Sequence, residues 1–378
     1  MPAQPSKTFR VGIIGCGTIF FSSHAYPLHK LENVEVRAVC DNKPQAVQAA
    51  ASLFNCDGYD DYRQLLKRTD IDVVHVLTPH YLHAPMVIDA ANTGRHVLVE
   101  KPMSITIQDA HAMLEAAKQN RVTLGVISQN RYNPASIAIK EALSNGSLGK
   151  ILGQRITIPG TKPMEYYRNS DWRGTWDKEG GSLVIDQAVH ILDLARWFVD
   201  DDLASVQATI ANRDHPEIET EDTSEGLIIY RNGVRSVFLA TNNFTYNAPS
   251  VVETQCEKGI ALLEFDRAVI TYSSGQEVIT VNDPTTTLDE ADFKAFIGRD
   301  IGQVAFETLK VWGVVFAPIL WKVTKGTWGV THFKQISNFY SSLEKGIQPE
   351  INGEAAIKTQ ELVSAIYQSA REGRTITF

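Results

Sequence analysis

The sequence lacks the features of several protein classes. Its 378 residues include only four cysteines, and these form no CxxC pair and have no metal-ligand spacing, which argues against a disulfide scaffold or a zinc module. It has no excess of positive charge: the formal net charge is -8, which argues against nucleic acid or an anionic membrane as the main partner. The cysteines are predicted to be free thiols.

Long apolar stretches are also scarce. The run Val311–Trp321 contains Pro318 and falls well short of the roughly 20 residues that a membrane span requires. We therefore expect a buried or subunit-facing helix there and no membrane partner, and the wider apolar segment Gly302–Trp328 could form a lid or a subunit contact. Met1–Arg10 lacks the apolar core of a secretion signal, so the predicted location is the cytoplasm.

The length and the pattern of the chain predict two domains. The first third alternates short apolar strands, such as Val11–Ile14 and Val73–Leu77, with helical segments, which is typical of a doubly wound parallel sheet. After about residue 128, strand-like runs joined by hairpin signals predict an antiparallel sheet with helices on one face. The predicted domains are residues 1–128, which bind the cofactor, and 129–378, for substrate binding and oligomerisation.

A glycine-rich turn follows the first predicted strand. Gly15-Cys16-Gly17 lies where a dinucleotide fingerprint belongs, although Phe20 replaces the third glycine of that pattern. Thr18 and Ile19 continue the same turn. Asp41 ends the second predicted strand, where a carboxylate can bind the adenosine ribose and repel a 2′-phosphate. This favours NAD over NADP, although Asp41 could instead be only a turn residue.

Two further motifs supply groups for proton and hydride chemistry. Glu100-Lys101-Pro102 follows a buried-looking strand, and Asp186 and His190 follow Glu179-Gly180-Gly181. Oxidation of an alcohol needs a base for the hydroxyl proton and a donor that stabilises the developing charge on its oxygen. His190 is the predicted base and Lys101 the predicted donor, while Asp186 could orient His190 or bind a neighbouring hydroxyl. Taken alone, His190 could equally be a core histidine.

With these motifs assembled, the chain resembles the glucose-fructose oxidoreductase and inositol dehydrogenase (Gfo/Idh/MocA) family along essentially its whole length. The resemblance is carried by Gly15-Cys16-Gly17, Thr78-Pro79 with His83, Gly94 to Pro102, Gln129 to Pro134, Trp172 to Trp176, Glu179-Gly180-Gly181, Asp186 with His190 and Asp193, Glu221 to Thr223, and Gly329 to His332 with Gln335. The departures are Phe20, His80 after Thr78-Pro79, and Gln187-Ala188 before the histidine.

The resemblance implies an N-terminal Rossmann domain, a C-terminal α/β domain with a large, mostly antiparallel open sheet, and NAD(P)-dependent chemistry on sugars and polyols. It implies the same Lys101, Asp186 and His190 as active-site residues, with the lysine as base in some members. It also adds Thr78, Pro79, His83, Glu100, Lys101 and Asn130 to the cofactor-binding residues.

A group of aromatic and basic residues is the candidate substrate site. Trp172, Arg173 and Trp176 could form a sugar-binding wall or could be core residues, and Asp193 could bind substrate or be structural. The same candidate group includes Arg131, Tyr132, Tyr166, Tyr167 and His332. His80, His83 and His332 lack the local spacing of a metal cluster, so no metal is predicted.

The leading hypothesis is an NAD-dependent dehydrogenase acting on a sugar, polyol, glycoside or nucleotide sugar. One alternative is a glycosidase or lyase that keeps NAD bound and oxidises the ring transiently. Another is a nucleotide-sensing regulator without turnover. An open sheet face or apolar helix would leave a large patch in water, so a homodimer or homotetramer is expected.

Overall fold

The computed structural model describes residues 7–282 and 327–378. The run Val311–Trp321 and nearly all of the segment Gly302–Trp328 therefore lie outside the described residues. The chain divides into two compact units. The first takes its described residues from Met1–Ser104, Gln108–Gln129 and Pro284–Ala356, and the second from Ile105–Ile107, Asn130–Asp283 and Ile357–Phe378.

The first unit is built from alternating strands and helices. They are β1 (Phe9–Ile14), a π-helical turn (Phe20–His24), α1 (Ala25–Lys30), β2 (Val34–Cys40), α2 (Pro44–Phe54), β3 (Asp57–Tyr59), α3 (Tyr62–Leu66), β4 (Val73–Val76), α4 (His80–Asn92), β5 (His96–Val99), α5 (Ile107–Gln119) and β6 (Leu124–Val126). The strands pair in the order β3-β2-β1-β4-β5-β6, and every neighbouring pair is parallel. This is the doubly wound Rossmann order, which confirms the predicted fold of this part.

The second unit holds the larger sheet. Its elements are a 3₁₀ turn (Gln129–Tyr132), α6 (Pro134–Ser144), β7 (Ile151–Pro159), α7 (Met164–Arg168), a second π-helical turn (Leu183–Ala188), α8 (Val189–Val199), β8 (Leu203–Ala211), β9 (Thr223–Tyr230), β10 (Arg235–Thr241), β11 (Val251–Cys256), β12 (Gly259–Glu264), β13 (Arg267–Tyr272) and β14 (Glu277–Val281). The chain ends with α9 (Thr327–Lys345), α10 (Gly353–Glu372) and β15 (Ile376–Thr377).

Nine strands pair in the order β14-β13-β12-β11-β7-β10-β9-β8-β15, and within this sheet, as far as the structure describes it, only β7 and β10 form a parallel pair. The predicted large, mostly antiparallel sheet is thereby confirmed. Its strands alternate between buried and exposed residues, because α6 and α8 pack against one face. No helix in the described ranges is both long enough and apolar enough to span a membrane.

Each unit has its own hydrophobic core. In the first, Phe9, Val11 and Ile13 pack with residues from α1, α2 and α9, among them Phe339 and Tyr340. The helix α9 is thus part of the first unit by packing, although it lies late in the sequence. The predicted functional division into residues 1–128 and 129–378 stays a prediction.

Candidate active site

The turn after β1 is shaped by two glycines with different surroundings. Gly15 has φ +100°, and a Cβ there would lie 2.6 Å from the carbonyl oxygen of Leu77. Gly17 faces open space, since a Cβ there would meet no atom within 4 Å. The helical turn starts at Thr18, and its exposed N-terminus suits the phosphates of a dinucleotide. The turn therefore fits a cofactor that approaches the backbone at Gly17.

Asp41 lies beside this turn at the end of β2. One carboxylate oxygen accepts a hydrogen bond from the N–H of Cys16 at 2.8 Å, and the other from the N–H of Lys43 at 2.9 Å. The second bond is the local contact of a turn residue, while the first joins Asp41 to the glycine turn. Both interpretations of Asp41 therefore have a structural counterpart. The predicted contact with ribose stays a prediction.

A π-helical turn accommodates the side chain that replaces the third glycine. Phe20 is fully buried, with its ring centroid 4.8 Å from that of Phe21 and 6.1 Å from that of Phe54. The segment Phe20–His24 forms a π-helical turn instead of continuing as an α-helix. The large side chain thus becomes part of the core between helix and sheet, which is where the fingerprint pattern has glycine.

Several predicted cofactor residues lie at the carboxyl ends of β4 and β5. The Thr78 hydroxyl lies 3.6 Å from the sulfur of Met86, and α4 begins directly after Pro79. His83 is fully buried, and its two ring nitrogens lie 2.8 Å from the carbonyl oxygens of Thr78 and Pro102. His83 thus ties these two turns together, and burial lowers its pKa. Its contact with a cofactor stays a prediction.

Lys101 is anchored through its backbone. Its N–H donates to the carboxylate of Glu100 at 3.1 Å, and the N–H of Glu100 donates to the carbonyl oxygen of Val76 at 3.0 Å. The peptide bond between Lys101 and Pro102 is cis. The residue is therefore held at the edge of the parallel sheet where ligands of such folds bind.

Glu100 itself is buried among histidines. Its Oε1 atom lies 2.9 Å from Nε2 of His24 and 3.3 Å from Nε2 of His332. Burial raises the pKa of Glu100, but the hydrogen bond from His24 and the nearby ring of His332 outweigh this and hold the pKa well below its ordinary value. Glu100 is thus a carboxylate that can only accept hydrogen bonds.

This carboxylate sets the protonation of a longer chain of hydrogen bonds. His24 donates from Nε2 to Glu100, so its Nδ1 accepts from Nδ1 of His75 at 3.2 Å. His75 in turn accepts at Nε2 from the hydroxyl of Tyr340 at 2.8 Å. Burial lowers the pKa of His24 and of His75, consistent with neutral rings. The chain links α9 to the backbone of Lys101 through four buried side chains.

His24, Glu100 and His332 also have the composition of a metal site. Their ligand atoms all lie within 4.8 Å of one another. The 2.9 Å separation of His24 and Glu100 is that of a direct hydrogen bond, so the geometry already satisfies both groups without a cation. We interpret the group as hydrogen-bonded, and the predicted absence of a metal stays a prediction.

In the second unit, two glycines allow the segment that carries Asp186 to pack tightly. A Cβ at Gly181 would lie 1.9 Å from the hydroxyl of Tyr367, and one at Gly180 would lie 2.7 Å from Ile105. The Tyr367 hydroxyl accepts from the N–H of Ile185 at 3.2 Å and donates to Glu221 at 2.7 Å. These contacts leave no room for a side chain at either glycine.

Glu221 completes the support of this segment. Its Oε1 atom accepts from the N–H groups of Ser182 at 3.2 Å and Val184 at 2.9 Å. These N–H groups begin the π-helical turn Leu183–Ala188, which carries Asp186, and α8 starts one residue before His190. Such π-helical turns occur frequently at functional sites. The chain thus changes from π-helical to α-helical winding at Val189, where α8 begins.

Asp186 receives a hydrogen bond from a substrate-group residue. The Tyr166 hydroxyl donates to Asp186 at 2.8 Å, and burial followed by the charge of Asp186 raises the pKa of Tyr166 well above its ordinary value. Asp186 and His190 are both half-buried. The structure thus brings the predicted residues Tyr166 and Asp186 together.

Glu179 adds a second carboxyl group to this cluster. It is completely buried and accepts a hydrogen bond from the N–H of Gly174. Burial, and then the charge of Asp186, raise the pKa of Glu179 to about 9. Glu179 is therefore protonated at pH 7.

Trp172 and Arg173 lie at the same cluster, whereas Trp176 and Tyr167 are packing residues. The Arg173 guanidinium lies 4.1 Å from the ring centroid of Tyr166 and 5.0 Å from that of Trp172. Trp176 instead donates to the carbonyl oxygen of Glu219 and lies edge-on to Tyr367. Tyr167 is buried, with its hydroxyl bonded to Ser182 and Asn242.

Arg131 belongs to a different cluster. Its guanidinium donates two hydrogen bonds to Asp193, at 2.8 and 2.5 Å, and both side chains are buried. Thr359 of α10 also donates to Asp193. Asp193 has a structural role here, which was one of the two roles left open, and the substrate role of Arg131 stays a prediction.

The remaining predicted residues are placed as follows. Asn130 is half-buried and Tyr132 is buried, both in the 3₁₀ turn of the second unit, and His332 lies in the first unit beside Glu100. His24, His75, Tyr340 and Tyr367 were missed by sequence reasoning. One general signal pointed to such partners: a glutamate at the end of a buried strand needs hydrogen-bond donors, wherever they lie in the chain.

A glycine turn open to a dinucleotide, on a six-stranded parallel sheet, defines a dinucleotide-binding protein of the Rossmann type. Comparison with family models agrees: residues 9–128 match the oxidoreductase family with an NAD-binding Rossmann fold, and residues 137–262 match the GFO/IDH/MocA C-terminal domain. The chain therefore belongs to the Gfo/Idh/MocA family, as the motifs predicted.

Individual relatives are similar along much of the chain. D-apiose dehydrogenase of Paraburkholderia graminis is 26% identical over 373 residues, which is 98% of this chain and 90% of the relative. Myo-inositol 2-dehydrogenase of Thermotoga maritima is 25% identical over 66% of this chain and 73% of the relative. The WlbA dehydrogenase of Bordetella pertussis, solved in complex with NADH and UDP-GlcNAcA, superposes with a TM-score of 0.79 at 27% identity, covering 98% of both chains. The chain is thus an oxidoreductase similar to dehydrogenases of sugars and nucleotide sugars.

Proposed function

We propose that this protein oxidises a ring or chain hydroxyl of a carbohydrate, with NAD as the hydride acceptor. The observation that carries this proposal is the anchoring of Lys101: its backbone is held by the buried carboxylate of Glu100 at the edge of the parallel sheet. The names of the similar dehydrogenases support a sugar, polyol or nucleotide sugar as substrate. The preference for NAD over NADP rests on the carboxylate of Asp41 beside the glycine turn.

Bound NAD would supply the hydride acceptor, held by the turn at Gly15 and Gly17. Lys101 donates a hydrogen bond to the reacting oxygen and stabilises its negative charge. His190, which lies in the first turn of α8, accepts the hydroxyl proton. Asp186, fixed by the hydroxyl of Tyr166, binds a neighbouring hydroxyl or orients His190. Lys101 is the alternative base.

The test is NADH absorbance during incubation with NAD and a panel of polyols, free sugars, glycosides, sugar acids and nucleotide sugars. We expect one substrate class to reduce NAD, and Lys101→Met to lower kcat by roughly 10²- to 10⁴-fold, because a proton donor or acceptor is lost. The exposed Lys118 of α5 provides the control, since Lys118→Met should leave kcat unchanged. Binding of NAD to both variants should persist in calorimetry.

The choice of base is tested by the pH profile of kcat/KM. With His190 as the base, His190→Asn abolishes the acidic limb of the profile and Lys101→Met preserves it. The reverse result assigns the base to Lys101. Cleavage of a glycoside without net NADH would instead support the glycosidase or lyase alternative. Demonstrable NAD binding with no reaction of any substrate would contradict the dehydrogenase proposal and favour the sensor.

A further inference from the structure

Two cations lie over one aromatic ring in the second unit. The ring centroid of Tyr166 is 4.2 Å from Nζ of Lys162 and 4.1 Å from the guanidinium carbon of Arg173. Cations at such distances from an aromatic ring are held by its quadrupole. The hydroxyl of the same tyrosine donates to Asp186. Both positive charges are therefore fixed next to a residue that we place in the active site.

The backbones of both cationic residues are restrained. The N–H of Lys162 donates to the carbonyl oxygen of Asn242 at 2.9 Å, and its own carbonyl oxygen accepts from the ring of His215 at 2.8 Å. The N–H of Arg173 donates to the Ser170 hydroxyl at 3.3 Å. Restraint of this kind lowers the entropy lost when a side chain orders around a ligand.

Arg173 and its neighbour Arg168 differ in whether their guanidinium groups form ion pairs. Arg168 forms ion pairs with Glu165 and Glu217. The guanidinium of Arg173 donates no hydrogen bond to any residue in ranges 7–282 and 327–378, and its Nε atom is buried without an acceptor there. No carboxylate of those ranges forms an ion pair with it either, so its planar set of donors remains available for an anionic ligand.

Among the described residues, Tyr166 contacts two cationic groups with its ring and one acidic residue with its hydroxyl. Asp186 is a carboxylate, whereas Glu179 is held neutral at pH 7 by burial and by the charge of Asp186, which together raise its pKa. A guanidinium that forms no ion pair in the described ranges, held at the same ring as an ammonium group, is suited to bind a carboxylate or a phosphate.

We propose that Lys162 and Arg173 form an anion subsite, and that the substrate is an acidic carbohydrate carrying a carboxylate or a phosphate. This inference rests on the proposed function, because it assigns the substrate class of the same site. Tyr166 has two tasks in this arrangement: its ring holds the cations, and its hydroxyl holds Asp186. Tyr166 thereby links recognition of the acidic group of the substrate to the position of the reacting hydroxyl.

The experiment compares neutral and acidic sugars as matched pairs, glucose against glucuronate and glucose against glucose 6-phosphate, alongside nucleotide sugars with and without a sugar carboxylate. We expect the acidic member of one pair to have at least a tenfold higher kcat/KM, with a KM that rises with salt. Preference for glucuronate would identify a carboxylate, and preference for glucose 6-phosphate a phosphate.

Variants separate recognition from folding. Arg173→Gln should raise KM for the acidic sugar by roughly 10- to 100-fold, as expected for the loss of charge-assisted hydrogen bonds, and should raise KM for the neutral sugar much less. Lys162→Gln should act in the same direction. Arg173→Lys should restore part of the affinity, and Arg168→Gln, the matched control, should change neither KM.

Two outcomes would overturn the inference while the dehydrogenase proposal stands: equal kcat/KM for both members of every pair, or an equal loss for neutral and acidic sugars in Arg173→Gln. If no sugar is oxidised, calorimetry with the NADH-bound protein measures the binding of each sugar instead. Binding of glucuronate or glucose 6-phosphate that Arg173→Gln abolishes would support the subsite although the dehydrogenase proposal had failed. Equally weak binding of all sugars would contradict the subsite.

Discussion

At the scale of single residues, Gly15 and Gly17 show how one residue type serves two purposes. Gly15 is required by the backbone, because its φ is +100° and a side chain would meet the carbonyl oxygen of Leu77. Gly17 has space for a side chain and no positive φ. Because Gly17 has no side chain, the backbone of the turn stays exposed there and a pyrophosphate can approach it.

Substitution by alanine should therefore affect different properties at the two positions: stability at Gly15 and NAD binding at Gly17. Gly15→Ala should lower the free energy of unfolding by about 1–3 kcal/mol, from strain at positive φ. Gly17→Ala should leave stability within about 0.5 kcal/mol but weaken NAD binding roughly tenfold or more. Urea unfolding and calorimetry with NAD measure the two effects. Unchanged NAD affinity in Gly17→Ala would contradict the placement of the cofactor at this turn.

Glu179 predicts a dependence of stability on pH. Its pKa is raised to about 9 in the folded protein, from an ordinary value near 4.5. The folded state thus keeps a proton that the unfolded state releases, so this contribution is complete below pH 4.5 and is lost as pH rises towards 9. The loss approaches about 1.4 kcal/mol per pH unit within that window.

Glu179→Gln removes this titration and can keep the hydrogen bond from Gly174 through its amide oxygen. Its unfolding free energy relative to the natural protein should therefore increase from pH 5 to pH 8. Urea unfolding at both pH values tests this, with the exposed Glu165→Gln as control. A difference between the two proteins that does not change with pH would show that Glu179 is ionised in the folded state.

At the scale of elements, both π-helical turns precede an α-helix and carry residues of the candidate site. Phe20–His24 brings His24 to Glu100, and Leu183–Ala188 carries Asp186. Helical periodicity predicted the helices but could not distinguish π from α winding. The winding of the second turn coincides with contacts from Glu221 and Tyr367, which are distant in sequence.

Tyr367→Phe tests this support. Loss of the hydroxyl leaves the Ile185 N–H without its acceptor and removes one of the donors to Glu221, so the free energy of unfolding should fall by about 1–3 kcal/mol. We also expect kcat to fall, because Asp186 lies in the affected turn, while NAD affinity stays unchanged. Tyr272→Phe, a half-buried tyrosine, is the control. An unchanged kcat would show that the support of the turn Leu183–Ala188 by Tyr367 is not needed for catalysis.

At the scale of the whole molecule, one face of the nine-stranded sheet is covered by helices and the other carries exposed apolar side chains. Val237 and Leu239 of β10 are 51% and 42% exposed, whereas Phe238 between them is 4% exposed. Such a face favours association with a second copy. The expected homodimer or homotetramer stays a prediction, as does the cytoplasmic location.

Light scattering at micromolar concentration tests the association. The natural protein should be a dimer or tetramer, and the double variant Val237→Lys, Leu239→Lys should be smaller, because two charges would be buried without partners. Ile347→Lys, at an exposed position in the first unit, should not change the mass. A monodisperse monomer of the natural protein would contradict the prediction.

The sequence by itself determined the fold class, the family and the glycine turn, because hydrophobic periodicity and short motifs are local signals. The same signals predict Lys101, Asp186 and His190 as catalytic residues. The sequence did not reveal the short strand β3 or the strands β11 and β14, whose pairing partners supply much of their stability. Only the tertiary structure joined Glu100 to His24, His75 and Tyr340. It also paired Arg131 with Asp193, whereas Arg173 forms no ion pair in the described part of the chain. The charge of a carboxyl group and the availability of a cation depend on burial and on partners that are distant in sequence. Local sequence patterns do not contain this information.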